Sequence, residues 1–253
     1  MMWLRSALFN AWFYGVTAVF AIGGVGLRAF APGRALAYAR TWAGTVLGGL
    51  RPLCGITWEV SGRQHLPPRG PALIASMHQS AFDTLVWGVM LPGFCFVLKR
   101  ELTRIPLFGP LLHATGMIAV DRSAGAAAIR DLLRGGDRAV AAGRQIVIFP
   151  EGTRVTPGEA APLHAGVAAL AARTRLAVIP VATDSGQHWG RRAFRKRPGV
   201  IHVAIQPPIE AGLPREVLMA RLAAAFAEGR AELAGRVDNS VGEPAPRLRS
   251  RAS

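Results

Sequence analysis

Two short polar segments of the chain carry residue types that could take part in group transfer. The first segment, HQSAFD, runs from His78 to Asp83. A carboxylate that accepts a hydrogen bond from one imidazole nitrogen fixes the tautomer of the ring, so the other nitrogen can act as a base. Along one continuous helix, a spacing of five residues turns two side chains apart by about 140°. His78 can therefore meet Asp83 only if His78 lies in a loop and Asp83 in the first turns of the helix that follows.

This histidine–aspartate pair has no serine nucleophile beside it, because the chain contains no G-x-S-x-G motif. A pair of this kind suits the direct activation of a substrate hydroxyl. Ser80, which lies between the two residues, is predicted to cap the following helix. Because any histidine and aspartate can have this spacing by chance, a purely structural pair is the default interpretation of this segment alone.

The second segment, FPEGTR, covers Phe149–Arg154 and directly follows an apolar stretch. A proline and a glycine at a strand end form a tight loop with accessible backbone N–H groups. Arg154 adds a planar, bidentate donor for phosphate or carboxylate. A phosphate-binding loop is one interpretation, and a structural turn with an ion pair between Glu151 and Arg154 is the other. The segment is not a P-loop, because the chain contains no G-x-x-x-x-G-K-[ST] motif.

The elements that must position these side chains alternate between strands and helices after residue 56. Apolar residues recur at helical spacing in several segments, for example at Ile129, Leu132 and Leu133. Alternation of this kind predicts an α/β fold in which a mainly parallel mixed sheet is covered by helices. Continuous apolar runs, typical of strands covered on both faces, occur at Thr57–Gly62, Pro71–Met77, Gly93–Leu98, Met117–Val120, Gln145–Phe149, Leu176–Ala182 and Val200–Gln206.

Charged residues follow two of these predicted strands directly. Lys99 and Arg100 come after the third strand, and Asp121 and Arg122 come after the fourth. The sixth predicted strand contains Pro180, which places that strand at an edge of the sheet or at a bulge.

The N-terminal region predicts a membrane-anchoring helical segment. No charged residue occurs from Ser6 to Leu27, and a helix of this length reaches about 33 Å, enough to cross a hydrocarbon core of about 30 Å. The run is too long for the apolar core of a signal peptide. Arginines follow the run, which places the next domain in the cytoplasm. A second apolar stretch, Thr41–Leu50, is too short to span, so a spanning helix and a half-inserted helical hairpin both stay open. A buried hairpin of a soluble core is the structural alternative to an anchor.

Composition limits the partners of the protein. Thirty Lys and Arg residues against 15 Asp and Glu give a formal net charge of +15, which favours an anionic partner such as nucleic acid, lipid headgroups or an acidic carrier protein. No nucleic-acid-binding motif occurs, so nucleic acid is not expected. Cys54 and Cys95 form no metal-binding motif, and no metal is expected. The predicted organisation is a membrane anchor (residues 1–56), an α/β domain (57–234) and a disordered tail (235–253).

Four segments, taken in order, resemble the four sequence blocks of the glycerolipid acyltransferase family. A histidine and an aspartate with four residues between them are unspecific, but followed by FPEGTR about 70 residues later they are highly specific. The resemblance covers roughly Arg5 to Glu232. The four segments are His78…Asp83, Lys99…Pro106…Gly109, Phe149–Arg154 and Val178–Ala182.

The resemblance implies a reaction and a role for each matched residue. The family transfers an acyl chain from a thioester of acyl carrier protein or coenzyme A to the sn-2 hydroxyl of a 1-acylglycerol 3-phosphate, giving phosphatidic acid without a further cofactor. His78 would be the general base and Asp83 would orient it. Lys99 and Arg154 would bind the acceptor phosphate. Glu151, Gly152 and Thr153, which stand in the third block, would help to build the substrate site.

The resemblance also implies a cellular location, and it leaves alternatives for the function open. The protein would lie in the cell inner membrane, among phospholipids, with its catalytic domain on the cytoplasmic face. His164 departs from the family pattern, because it stands where lysine is common. Another acceptor, such as a lyso-aminolipid, and a non-catalytic lipid-binding protein on the same fold are the alternatives. The basic run Arg191–Arg197 is a solvated loop, a headgroup contact or a docking site for an acidic carrier protein.

Overall fold

A computed structural model describes residues 1–240 of the chain, and the side chains of residues 1–235. The described chain forms one sheet of seven strands in the order β1-β7-β6-β2-β5-β3-β4. Every neighbouring pair is parallel except β6 and β7, which are antiparallel. The strands are β1 (Ile56–Ser61), β2 (Ala72–Ser76), β3 (Phe94–Lys99), β4 (Ile118–Val120), β5 (Gln145–Ile148), β6 (Val178–Thr183) and β7 (Gly199–Ile205).

Helices precede the sheet, connect its strands and follow it. The predicted α/β class and the mainly parallel mixed sheet are confirmed, because each predicted apolar run overlaps one of the strands, with ends that differ by at most two residues. The α-helices are α1 (Met2–Phe30), α2 (Ala35–Gly48), α3 (Phe82–Met90), α4 (Phe108–Ala114), α5 (Ala126–Ala141), α6 (Gly166–Thr174), α7 (Ser185–His188) and α8 (Arg215–Ser240).

The hydrophobic core has two parts, one on each face of the sheet. Alternate residues of β2 divide between them, since Leu73 and Ala75 belong to one part and Ala72 and Ile74 to the other. Every residue of β2 and of β6 is buried, as expected for central strands covered on both faces. Residues of α5, α6 and α8 cover the first face, and residues of α1, α2 and α3 cover the second.

The N-terminal helices form an antiparallel hairpin that is part of the core. Tyr38 donates its hydroxyl to the carbonyl of Phe20, and the indole of Trp42 donates to Thr17. Phe9 of α1 and Val46 of α2 are fully buried against the sheet domain. The segment predicted as a membrane anchor therefore also completes one face of the fold.

Helix α1 nevertheless exposes a long apolar surface. It is the one described helix that is long and apolar enough to cross a membrane. Leu4, Leu8, Val19 and Ile22 are among its large side chains that face outward. The helix thus has one side packed on the protein and one apolar side without a described partner.

The position of Pro180 decides between the two predicted alternatives, an edge strand and a bulge. β6 lies inside the sheet, between β2 and β7, and Pro180 pairs with Ala75 of β2. The ladder between β6 and β7 covers Val181–Thr183, and the Pro180 carbonyl accepts from the N–H of Gln206, beyond the end of β7. Because the N and C=O of an extended residue face the same neighbour, the missing N–H falls where β7 has ended. The edge alternative was wrong, because β6 has a neighbour on each side. The bulge alternative agrees with a one-residue shift of register between the Val181–Ile205 pair and the isolated Val178–Ile209 bridge.

The C-terminal helix extends past the predicted boundary. Helix α8 continues to Ser240, so residues 235–240, predicted as the start of a tail, are helical. The rest of the predicted tail, residues 241–253, lies outside the described residues.

Candidate active site

The side chains of His78 and Asp83 meet at the carboxyl end of β2. His78 lies in the short loop after the strand, and Asp83 lies in the first turn of α3. Nδ1 of His78 is 3.0 Å from Oδ2 of Asp83. This contact assigns the proton of the neutral ring to Nδ1 and leaves Nε2 as the basic nitrogen. The loop-and-helix arrangement that the five-residue spacing requires is therefore present.

The carboxylate of Asp83 is buried and held from several directions. Its Oδ2 also accepts the backbone N–H groups of Gln79 and Ser80, at 2.7 and 2.8 Å. Its Oδ1 accepts the hydroxyl of Ser185, at 2.6 Å. A carboxylate with these donors keeps one orientation, so the imidazole is oriented as well. The Ser80 hydroxyl accepts from the N–H of Phe82, the first residue of α3, at 3.1 Å, while the N-cap position itself is Ala81.

The second polar segment holds the backbone of His78. Oε2 of Glu151 accepts the His78 N–H at 2.7 Å, and the N–H of Val155 donates to the His78 carbonyl at 2.8 Å. The ring of Phe149 stacks on the imidazole, with centroids 4.1 Å apart. Burial raises the pKa of the Glu151 carboxyl to about 7, and the hydrogen bond from His78 opposes part of the rise. The segment thus fixes the position of His78.

Glu151 helps to build the site through the backbone of His78 and not through the cavity lining. Its side chain is buried behind the loop and lies outside the lining of the cavity next to His78. The structure shows no ion pair between Glu151 and Arg154 within the described residues. The loop is therefore held through His78 and not through an internal ion pair.

A cavity of about 600 Å³ opens beside His78. One end is apolar and lies between the α1–α2 hairpin and the sheet domain, where Phe20, Trp42, Phe96 and Leu111 contribute to its lining. The other end is cationic and carries Lys99, Arg122, Arg154, Arg191 and Arg192. The cavity therefore joins a space suited to an alkyl chain with a space suited to an anion, and His78 lines it as well.

Most of the predicted substrate-binding residues line this cavity. Lys99, Gly152, Thr153 and Arg154 all do so. Burial lowers the pKa of the Arg154 guanidinium, and the Asp83 carboxylate opposes this shift. Because a cation withdrawn from water regains stability from a bound anion, Arg154 is suited to hold a phosphate.

His164 supports the loop from the side away from the cavity. Its backbone N–H donates to the carbonyl of Pro150 at 2.8 Å, and its ring packs on Gly152. A Cβ atom at Gly152 would lie 2.7 Å from the His164 ring, and Gly152 has a φ of +69°. Glycine is therefore required at position 152 by both space and backbone conformation.

The sequence analysis missed three contributors to the site. Arg122, at the end of β4, donates to the carbonyl of Gly152 and lines the cavity. Gln79 accepts the N–H of Gly186 at 3.0 Å through its side chain, and Ser185 contacts Asp83. Arg122 had a signal in the sequence, because polar residues after parallel strands gather at one edge of a sheet. Gln79 lies within the HQSAFD segment, but nothing local indicated its contact with Gly186, and Ser185 had no signal.

A second histidine–aspartate pair lies near the first. Nδ1 of His202 is 2.8 Å from Oδ2 of Asp184, and the same carboxylate accepts the His202 N–H at 2.7 Å. Neither residue lines the cavity. This pair therefore connects β7 to the end of β6 and has no route to a ligand in the cavity. Within the described residues, no group of three or more His, Cys, Asp and Glu side chains could hold a metal ion.

Residues 57–184 match the family model described as "Acyltransferase". This match covers half of the chain, so the protein belongs to the acyltransferase family. The resemblance noted for the four sequence segments is thereby confirmed.

Relatives and a solved structure agree with this assignment. The chain is 36% identical to the 1-acyl-sn-glycerol-3-phosphate acyltransferase of Pseudomonas aeruginosa over 172 residues, which are 68% of this chain and 66% of the relative. It is 31% identical to the human 1-acyl-sn-glycerol-3-phosphate acyltransferase alpha over 162 residues, or 63% and 57% of the two chains. The chain thus spans less than two thirds of the length of these relatives. The crystal structure of the 1-acyl-sn-glycerophosphate acyltransferase of Thermotoga maritima matches with a TM-score of 0.73 at 21% identity, over 92% of this chain and 98% of that chain, which supports the fold.

Proposed function

We propose that the protein transfers an acyl chain from a thioester to the free sn-2 hydroxyl of 1-acyl-sn-glycerol 3-phosphate, giving phosphatidic acid. One observation carries the proposal: the oriented imidazole of His78 lines a cavity with an apolar end and a cationic end. The names of the relatives support the same acceptor. The intact His78–Asp83 pair argues against a non-catalytic lipid-binding protein.

The proposed reaction needs one base and no protein nucleophile. Nε2 of His78 takes the proton of the acceptor hydroxyl as the hydroxyl oxygen attacks the thioester carbonyl carbon. The tetrahedral intermediate then expels the thiolate as the C–S bond breaks, and the imidazolium returns the proton to the sulfur. Asp83 stabilises the imidazolium between the two steps. The products are the ester and the free thiol, and His78 is neutral again.

The cationic end of the cavity supports a phosphate-bearing acceptor. Arg154 lines the cavity together with His78, and it lies close enough to Asp83 for the two charges to interact. Lys99 lines the same cavity. A lyso-aminolipid would bring a second cation towards these groups, so the charge of the site favours phosphate. The acyl chain of the acceptor would occupy the apolar end of the cavity, beside the α1–α2 hairpin.

We place the protein on the cytoplasmic face of the inner membrane, held by α1 as a half-inserted element. Ser6 and Phe9 are buried near one end of α1, and Gly24 is buried near the other. These contacts lie about 27 Å apart along the helix. Packing on the sheet domain at both ends supports a helix that lies along the domain over one that projects away from it through a bilayer. The outward apolar side would enter one leaflet.

The assay that tests the function combines a donor panel with an acceptor panel. Purified protein in lipid vesicles is given acyl-coenzyme A or acyl carrier protein thioester, without added cofactor. Acceptors are 1-acylglycerol 3-phosphate, a lyso-aminolipid and 1-monoacylglycerol, which lacks phosphate. We expect transfer to the phosphate monoester acceptor, and a loss of 10²- to 10⁴-fold in His78→Ala.

The control for this assay is His113→Ala, which removes an exposed histidine outside the cavity lining. It should retain full activity. Equal transfer to 1-monoacylglycerol would contradict recognition of the phosphate. Undiminished turnover by a folded His78→Ala protein would remove His78 from the mechanism.

A further inference from the structure

We propose that Arg191 and Arg192 bind the phosphate of the phosphopantetheine arm of the acyl donor, at a subsite separate from that of the acceptor phosphate. The ligand is a phosphate ester at the end of a pantetheine chain, which coenzyme A and acyl carrier protein have in common. This inference rests on the proposed function, because it needs a thioester donor of this kind.

The two arginines stand at the rim of the cavity without an ionic partner. They lie in the loop between α7 and β7, both line the cavity, and both are exposed. Nη1 of Arg191 lies 3.5 Å from the carbonyl oxygen of Arg154. In the part of the chain that the structure describes, neither arginine forms an ion pair. Their charges are therefore available to an anion in the cavity.

Arg154 and the arginine pair occupy different depths. Arg154 is half-buried and close enough to Asp83 for the carboxylate to affect its guanidinium, while Arg191 and Arg192 act on it as repelling neighbours. Arg154 is thus the inner cation, next to the catalytic pair, and the two exposed arginines form an outer cationic group. Three like charges in one region repel each other, and a bound anion relieves this repulsion.

The distance between the reacting atom and the phosphate differs between the two substrates, and this difference assigns each phosphate to the inner or the outer cationic group. In the acceptor, only a few bonds separate the reacting hydroxyl from the phosphate, so this phosphate must lie near His78. In the donor, the whole pantetheine arm separates the thioester from the phosphate. When the acceptor hydroxyl and the thioester carbonyl carbon meet beside Nε2 of His78, the donor phosphate must therefore lie farther from His78 than the acceptor phosphate does. The inner site at Arg154 suits the acceptor, and the outer pair suits the donor.

The loop that carries the arginine pair is anchored on helix α1. Lys196 is buried, and its Nζ donates to the side chain of Asn10 at 2.5 Å. Its N–H donates to the hydroxyl of Ser6 at 2.9 Å, and Phe194 stacks on Trp3 with centroids 5.4 Å apart.

The basic run Arg191–Arg197 is thus divided, with its first part on the cavity and its later part on α1. Arg192 has a φ of +54°, a conformation that costs energy in residues other than glycine and that concentrates at functional sites. An anchored loop presents its two arginines in one arrangement, which lowers the entropic cost of binding an anion.

The test compares donors with and without the phosphate. Arg191→Gln, Arg192→Gln and the double variant are assayed with acyl-coenzyme A, with acyl carrier protein thioester and with acyl-pantetheine, which lacks the phosphate. We expect the double variant to raise the KM of both phosphate-bearing donors by about 10-fold or more. Charge-assisted hydrogen bonds to a phosphate are stronger than those between neutral groups, and the double variant loses them. Turnover of acyl-pantetheine and the KM of the acceptor should not change.

Arg197→Gln is the matched control, because it removes an exposed arginine of the same loop that does not line the cavity. It should leave every donor KM unchanged. An equal loss with acyl-pantetheine, a rise in the acceptor KM, or a loss with only one of the two phosphate-bearing donors would overturn the assignment.

A separate measurement keeps this inference apart from the proposed function. If the wild-type protein transfers no acyl chain from any donor, the proposed function fails. Equilibrium binding of coenzyme A and of pantetheine to the full chain in vesicles then tests the subsite alone. Weaker binding of coenzyme A to the double variant, with pantetheine unaffected, supports the subsite. Equal binding of coenzyme A to both proteins rejects it.

Discussion

The hydroxyl of Ser185 lies 2.6 Å from Oδ1 of Asp83, although 102 residues separate the two in the chain. The other carboxylate oxygen accepts from His78, Gln79 and Ser80. Ser185 stands just after β6, whereas the other donors follow β2, the neighbouring strand. The orientation of the proposed base therefore depends on the pairing of two strands that are distant in sequence.

Ser185→Ala should lower kcat by about 10-fold and leave the KM of both substrates nearly unchanged. A hydrogen bond to a charged group contributes about 1.5–3 kcal/mol. Only part of this free energy is expected to reach the imidazolium of His78, because Ser185 acts on it through Asp83. Steady-state kinetics in vesicles measure the effect. Thr174→Ala, which removes a hydroxyl bonded to the Leu170 carbonyl in α6, is the control and should not change kcat. A change in KM alone would contradict an effect through Asp83.

Asp83→Asn should lower kcat by about 10²-fold or more while the protein stays folded. The amide oxygen takes the place of Oδ2, because two backbone N–H groups donate there, so the tautomer of His78 is kept but the charge that stabilises the imidazolium is lost. Activity assays are paired with a circular dichroism spectrum of the purified variant. Asp184→Asn changes the carboxylate of the second pair and should cost stability without a comparable loss of kcat. If Asp83→Asn kept more than a tenth of the wild-type kcat, Asp83 would not orient the base.

Glu151→Gln should stabilise the protein at pH 8 and lose this advantage at acidic pH. Burial raises the pKa of Glu151 in the folded protein to about 7, from an ordinary value of 4.5. The folded state therefore binds more protons than the unfolded state between these values, and wild-type stability falls as pH rises through this window. The full effect above pH 7 is on the order of 3 kcal/mol, since one pKa unit corresponds to about 1.4 kcal/mol.

The difference in Tm between wild type and Glu151→Gln in detergent measures this effect. The difference should be largest above pH 7 and vanish below about pH 4.5. Glutamine keeps an oxygen that can accept the His78 N–H, so the loop geometry is preserved. A Tm difference that does not vary with pH would show that Glu151 is ionised normally in the folded protein. Glu159→Gln, at an exposed position of the following loop, is the control.

Arg154→Ala should raise the KM of the lysophospholipid by about 10- to 100-fold, and the KM of the acyl donor much less. The loss of charge-assisted hydrogen bonds to phosphate accounts for this range. Arg154→Lys should recover only part of the affinity, because the planar fork is lost. The two KM values are measured separately, each at saturating concentration of the other substrate. A shift in the donor KM alone would show that Arg154 does not bind the acceptor phosphate.

Charges on the outward side of α1 should release the protein from membranes. Leu8 and Val19 are exposed and lie about three turns apart on the same side of the helix. The double variant Leu8→Glu/Val19→Glu should move from the vesicle fraction to the supernatant in a flotation assay. The wild-type protein should resist extraction by high salt, because its binding is hydrophobic and not electrostatic.

The control for α1 is the double variant Ile129→Glu/Val217→Glu. These two apolar residues are also exposed, but they lie on α5 and α8. The control should stay with the vesicles. Release of the wild-type protein by salt alone, or equal behaviour of the two double variants, would contradict insertion of α1.

Local patterns in the sequence predicted much of this structure. Each strand forms from a short apolar run, and burial on both faces makes such runs recognisable without knowledge of their neighbours. The spacing from His78 to Asp83 was also interpretable, because a loop followed by a helix brings the two side chains together within six residues. The same local view could not choose between an edge and a bulge at Pro180, because that choice depends on how β6 pairs with β7 and with the chain that follows it.

The sequence by itself determined the fold class, the pairing of His78 with Asp83, the loop at Phe149–Arg154 and the apolar nature of α1. Only the tertiary structure decided that Glu151 holds the backbone of His78, that Ser185 holds Asp83 and that Lys196 anchors the basic loop on α1. The two residues of each contact are separated in the sequence by 73, 102 and 190 positions, respectively. Periodicity and turn chemistry act over a few residues, whereas such contacts depend on the order of the strands and on where α1 packs. For that reason they become visible only when the whole chain is folded.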